Sequence, residues 1–110
     1  LESAVKLTIL GPCTNPSWTH YLNGVVASVG KVNCTIKDGN RLIVDNTKIP
    51  FEIAEYDSTG TFVQNLYQNS DFSTDRFVTL GFGSNKISFA HEGENAISLI
   101  AEGKIIYESV

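Results

Sequence analysis

Two cysteines, two histidines and scattered carboxylates are the residues of this chain best suited to chemistry. A zinc site needs converging ligands, usually with short Cys or His spacings that put two of them on one turn. Cys13, His20, Cys34 and His91 lack such spacings, so each histidine is expected to be structural or solvent-facing. A serine nucleophile has no G-x-S-x-G elbow here, and the strand–turn–helix context that motif needs is missing. Cys34 alternates with Val32 and Ile36, the pattern of a small core residue and not of an activated thiolate. Glu52, Glu55, Asp71 and Asp75 are the carboxylates from which a glycosidase pair would be drawn, although solvation is the default for such residues. The expectation is a protein that is not an enzyme and has no metal or cofactor.

Two short motifs invite functional readings. "GFGSN" (81–85) has the glycines of a phosphate loop but neither its lysine nor a following helix, so a tight turn explains it more simply. Asn33-Cys34-Thr35 matches a glycosylation sequon but falls inside an expected strand, and is discounted. The aromatics carry more weight. Trp18, Tyr21, Tyr56, Tyr67 and Tyr107 would make a stacking platform for sugar rings if two or three of them gathered on one surface. Trp18 follows Pro16 at the start of a strand, where a large ring commonly closes a core, so burial is the expectation for it.

A chain of 110 residues fits one domain and is long enough to bury a real core. The net charge of -4 is evenly spread, without the clustered Lys and Arg that nucleic-acid binding requires. No apolar run approaches the roughly 18 residues of a membrane span. A domain of this size does not need a disulfide, so two reduced thiols are expected. The chain begins at Leu1 and contains no methionine, which suggests a piece of a longer protein.

The elements that would position these residues are strands. In "AVKLTIL" Val5, Leu7 and Ile9 fall on one face, and in "KVNCTIK" Val32, Cys34 and Ile36 do the same. "RLIVDN", "FEIAEY", "RFVTL", "KISFAH", "NAISLIAE" and "KIIYES" continue the pattern with β-branched and aromatic residues. Asn23-Gly24 and Asp38-Gly39 read as hairpin dipeptides of the type I′ kind. "FVQNLYQN" is ambiguous and is assigned as strand, though Val63, Leu66 and Tyr67 would share a helical face. Eight to ten short strands (roughly) imply two sheets packed face to face. The expected fold is an all-β, two-sheet antiparallel β-sandwich of jelly-roll type.

Three patterns occur in a distinctive order. "LTILGPCTNPSW" places Gly11-Pro12 after an apolar strand, then Asn15-Pro16 and an aromatic. "IKDGNRLIVD" spaces Ile36, Gly39, Leu42, Val44 and Asp45. "FVTLGFGSNKISF" spaces Leu80, Gly83, Asn85, Ile87 and Phe89. Together, from about residue 7 to residue 90, they resemble the C-terminal domain of the distal tail protein family of long-tailed bacteriophages. The segment "STGTFVQNLYQNSDFSTDR" is longer than that pattern needs.

The resemblance implies a galectin-like sandwich at the end of a longer phage or prophage tail protein. It implies a ring at the tail tip built by the rest of the parent, and contacts with other tail, baseplate or receptor-binding proteins. The location that follows is the virion tail, and the bacterial cytoplasm during assembly; the fragment alone is expected to be monomeric. The alternative reading is a carbohydrate-binding module for a bacterial cell-wall polysaccharide. Of the motif residues, Leu42 and Val44 are expected to share a buried face, and Asn85 to bond the turn leading into Ile87.

Overall fold

A computed structural model describes residues 3–94 and 96–104, and within it the alternating runs become strands with one face in a shared core. The strands are β1 (Ser3–Leu10), β2 (Cys13–Thr14), β3 (Ser17–Leu22), β4 (Val25–Lys31), β5 (Thr35–Ile36) and β6 (Arg41–Asp45). They continue as β7 (Glu52–Tyr56), β8 (Phe62–Asn65), β9 (Thr79–Leu80), β10 (Asn85–Ala90) and β11 (Ser98–Lys104). Tyr107 and all of the "KIIYES" run except Lys104 lie outside the described residues.

Three antiparallel sheets form. The largest runs β11-β1-β6-β7-β8, with β9 pairing to the first residues of β1. A second runs β10-β3-β4, and β2 and β5 make a short ribbon. From the large sheet, Val5, Leu7, Ile9, Leu42, Val44 and Ile53 turn inward. Trp18 from the second sheet, Cys13 and Ile36 from the ribbon, and Val32, Leu66 and Val78 from connections meet them in one cluster. The fold is an all-β sandwich, as the alternation required.

Trp18 fixes the small sheet against this core. It is 2% exposed, and it pairs across the ladder with Gly30. A Cβ at Gly30 would fall within the indole, 2.6 Å from Nε1, so only glycine leaves room for the ring. The indole N–H donates to the carbonyl of Arg76 at 3.1 Å, which removes the cost of burying it. Arg76 sits at φ 69, and its segment also seals the free edge of β4. Arg76 N donates to Val29 O, Asp71 N donates to Lys31 O, and the Asp75 carboxylate accepts from Val29 N. An edge strand covered in this way cannot template pairing with another chain along that stretch.

Several local expectations change. "KVNCTIK" is not one strand: Lys31 ends β4, Val32 makes an isolated bridge to Ser70, and only Thr35–Ile36 pair with β2. The alternation survives the break, since Val32 and Ile36 are fully buried and Cys34 packs partly against them. Asn33 therefore stands exposed outside any strand, not inside one. "FVQNLYQN" divides into β8 and a 3₁₀ turn at Tyr67–Asn69, with Leu66 turned into the core between them. In "RFVTL" only Thr79–Leu80 pair.

The two turn dipeptides also part company. Asn23 (φ 52) and Gly24 (φ 81) are both left-handed, as a type I′ hairpin between β3 and β4 demands. At Asp38-Gly39 only Gly39 has positive φ, so the turn is not type I′. That turn closes through Asn40 N donating to Lys37 O at 3.1 Å and carries the chain from the ribbon to the large sheet, not around a hairpin.

Leu42 is fully buried, so Leu42→Ala is expected to lower unfolding free energy by about 2–5 kcal/mol in urea titration. Gly30→Ala is expected to cost about 1–3 kcal/mol by forcing the indole aside. Wild-type stability in either variant would contradict this packing.

Candidate functional site

The outer face of the large sheet holds a cleft of about 380 Å³. Strand alternation turns every second residue of β11, β1, β6 and β7 toward it, and the ladders align them in rows. One row is Glu102, Lys6, Asp45 and Glu52, and the next is Ile100, Thr8, Ile43 and Ala54. The third is Ser98, Leu10, Arg41 and Tyr56. The floor is recessed, with Thr8 and Ile43 each 6% exposed although they face away from the core. The loop after β7 supplies a rim at Gly60, where Asp57 Oδ1 accepts from the backbone N–H groups of Thr59 and Thr61.

Polar groups in the cleft are partly committed to one another. Tyr56 donates its hydroxyl to Glu52 Oε2 at 2.8 Å, and Lys48 reaches Glu52 Oε1 at 3.0 Å. Asp45 Oδ1 accepts from both the backbone and the hydroxyl of Thr47. Arg41 is different. Its Nε is buried without a hydrogen-bond partner, and no carboxylate lies within ion-pair reach of it among the described residues.

Of the five aromatics singled out for sugar contact, Tyr107 lies outside the described residues and the other four do not gather. Trp18 is in the core, and Tyr56 walls this cleft. Tyr21 lies beside Gly24 and Lys86 on the small sheet. Tyr67 belongs to a cluster with Phe72 and Phe77, ring centroids 5.7 and 6.3 Å away, and Phe51 packs against Phe77 in a tilted contact, centroids 5.0 Å apart. The guanidinium of Arg76 lies 4.4 Å from the Phe72 centroid and 5.0 Å from that of Tyr67, a cation–π contact. Phe51 and Phe72 remain about half exposed beside the open Ile49.

The four carboxylates do not converge either. Glu52 faces the outer cleft, whereas Glu55 is buried on the inner face, accepting from Asn40 Nδ2 at 2.6 Å and Gln64 Nε2 at 2.8 Å. Asp71 caps its own turn at Ser73, and Asp75 holds the β4 edge. Among the described residues no three His, Cys, Asp or Glu side chains gather as metal ligands. No helix among them is long and apolar enough to cross a membrane.

The motif residues occupy turns and packing positions. Gly11 donates its N–H to Asn40 O, and a Cβ there would meet the carbonyl of Lys37. Asn15 is left-handed (φ 47); its N–H donates to Cys34 O and its side chain donates to Glu92. Pro16 is fully buried, and Leu80 and Ile87 pack at the margin of the core. Asn85 sews the 81–84 turn: Nδ2 donates to Gly81 O at 2.9 Å, and Oδ1 accepts from Gly81 N at 3.2 Å. The same Oδ1 lies 2.7 Å from Nε2 of the buried His20. Because that oxygen is an acceptor, Nε2 carries the hydrogen and the ring donates to it. Gly83 (φ 128) lies directly against the Asn23 side chain, which accepts from Ser84 N.

Sequence reasoning missed Lys6, Arg41 and Ile43. For Ile43 a signal was available, an apolar residue in the outward phase of its strand between Leu42 and Val44, repeated by Ile100 after Leu99; Lys6 and Arg41 gave none. It also missed the exposed Val25, Val26 and Phe82. Val25 and Phe82 stand next to two turns that bond each other through Asn23 and Ser84.

No family model, no curated protein and no solved structure matches the chain.

Both thiols are free. Burial pushes the Cys34 thiol up to about 12, with Cys13 and Glu55 adding to the rise. Burial also raises Cys13, against a lowering hydrogen bond from the Ile36 backbone. A raised thiol pKa leaves little thiolate near neutral pH, so neither cysteine is a ready nucleophile. Both are expected to resist a disulfide reagent near neutral pH and to react together as urea unfolds the chain. Rapid stoichiometric reaction of the folded protein would contradict this assignment.

Proposed function

We propose that this chain is a non-enzymatic structural module of a phage or prophage tail tip. It projects from a ring built by the rest of its parent and docks onto other tail or receptor-binding proteins. In this reading the sandwich has the jelly-roll, galectin-like strand arrangement of the distal tail protein family. The ordered patterns from Gly11-Pro12 to Asn85 support the family reading, because each has a physical role in shaping a corner, a core position or a turn.

The observation that carries the docking role is the apolar end of the molecule. Phe82 is 87% exposed, and Val25 and Val26 are 69% and 55% exposed, on or beside turns tied to each other by hydrogen bonds. Large apolar groups held rigidly in water favour burial against a partner. A rigid turn pair also loses little entropy on binding. The partner is another tail or baseplate protein, and the fragment by itself remains monomeric.

Immunogold labelling of phage or induced prophage particles with an antibody to this chain tests the location. Gold at the tail tip is the expected outcome. Particles that carry the chain elsewhere, or lack it while it accumulates in the cell, would overturn the tail assignment.

A further inference from the structure

The outer cleft has a composition that selects a class of ligand. It combines Lys6, Arg41 and Lys48 with Asp45, Glu52 and Glu102, so its formal charges sum to zero. Such a site offers no single-sign field to concentrate a phosphate or a polyanion. Instead it sets donors beside acceptors at the spacing of the sheet ladder, as in the row where Lys6 lies between Glu102 and Asp45. A saccharide hydroxyl both donates and accepts, so neighbouring hydroxyls are met by cations and carboxylates in turn. Between the charged positions Ile43 provides a recessed apolar floor for the C–H face of a sugar ring.

We propose that this cleft is a binding site for a neutral saccharide. Arg41 is its principal donor, since it lines the cleft and no carboxylate among the described residues pairs with it. A guanidinium carries five N–H donors and no acceptor, so one free of a carboxylate partner has donors to offer a ligand hydroxyl. Asp45 and Glu52 keep acceptor capacity beyond the bonds they already make, because each carboxylate has about four lone-pair sites. Tyr56 forms the wall, held by its hydroxyl on Glu52 and by its edge-on contact with Phe62, ring centroids 5.8 Å apart. From β11 to β7 the floor spans three interstrand spacings, about 14 Å, which accommodates two linked rings. An extended peptide is the poorer fit for the floor, whose strands β1, β6 and β7 are paired on both sides; the one edge strand that lines the cleft among the described residues, β11, lies at its margin. The proposal is independent of the tail-tip reading, because it rests on the cleft alone.

The test is an amide NMR titration of the ¹⁵N-labelled chain with cellobiose, maltose, lactose and diacetylchitobiose, and separately with an extended neutral peptide. At least one disaccharide is expected to give saturable shifts centred on Thr8, Arg41 and Ile43. Arg41→Lys keeps the charge but removes the planar fork of guanidinium donors, and is expected to weaken that binding by about tenfold with an unchanged melting temperature. Tyr56→Ala is expected to weaken it as well. The proposal is overturned if none of the disaccharides gives saturable shifts, or if the shifts centre on Val25 and Phe82. A response to the peptide alone, or an Arg41→Lys variant that is folded and binds like wild type, overturns it equally. The outcome leaves the tail-tip location to its own labelling experiment.

Discussion

The indole of Trp18 packs against a residue with no side chain, and much of the architecture follows from that contact. Gly30 leaves the space, and the ladder between β3 and β4 puts it directly opposite. The indole then needs a partner for its N–H, and the carbonyl of Arg76 provides one only because Arg76 takes a left-handed conformation. With that carbonyl turned inward, the neighbouring N–H groups and the Asp75 carboxylate lie along β4 and close its edge. One buried ring thus joins the small sheet, the long loop and the hydrophobic core. The Arg76 side chain, directed among Tyr67, Phe72 and Phe77, holds the same loop from its other side.

Where ladders stop, asparagine side chains take over. Asn46 lies at the gap between β6 and β9: its Oδ1 accepts from Val5 N at 2.6 Å, and its Nδ2 donates to Val78 O at 3.1 Å. Asn85 closes the 81–84 turn and reaches the buried His20, Asn23 ties that turn to the neighbouring hairpin, and Asn40 pairs with the buried Glu55. Each is an amide that both donates and accepts, so it can imitate the missing backbone of a strand. A sandwich made of short strands has many such ends, and each unsatisfied group there would cost about 1–3 kcal/mol.

The two faces of the large sheet have different physical roles. The inner face is apolar apart from groups such as Glu55, whose two oxygens are both engaged. The outer face carries balanced charge around a recessed apolar floor, with an arginine nitrogen left unpaired. Stability alone does not ask for that arrangement, since a solvated outer face would be equally sound with scattered polar residues. The exposed turns bearing Val25 and Phe82 are a second departure from what folding requires. Function is proposed at these two places because they depart from the requirements of the core.

The sequence by itself determined the class of fold, because a period of two in side-chain hydrophobicity is meaningful only for a strand with one buried face. It also determined the left-handed hairpin at Asn23-Gly24 and the burial of Trp18, since both follow from local chemistry. It located Leu42 and Val44 in the core and Asn85 at its turn. Tertiary structure decided the rest. Whether Asp38-Gly39 made a hairpin depended on which strands it joined, and the sheets placed its neighbours apart. The aromatics looked alike in the sequence, yet the fold sent Trp18 inward and Tyr21, Tyr56 and Tyr67 to three separate surfaces. The cleft was least legible of all, because its rows join β1 and β11, from opposite ends of the described chain, to β6 and β7 in its middle. Register and sheet order, which local alternation does not encode, bring Glu102, Lys6, Asp45 and Glu52 side by side.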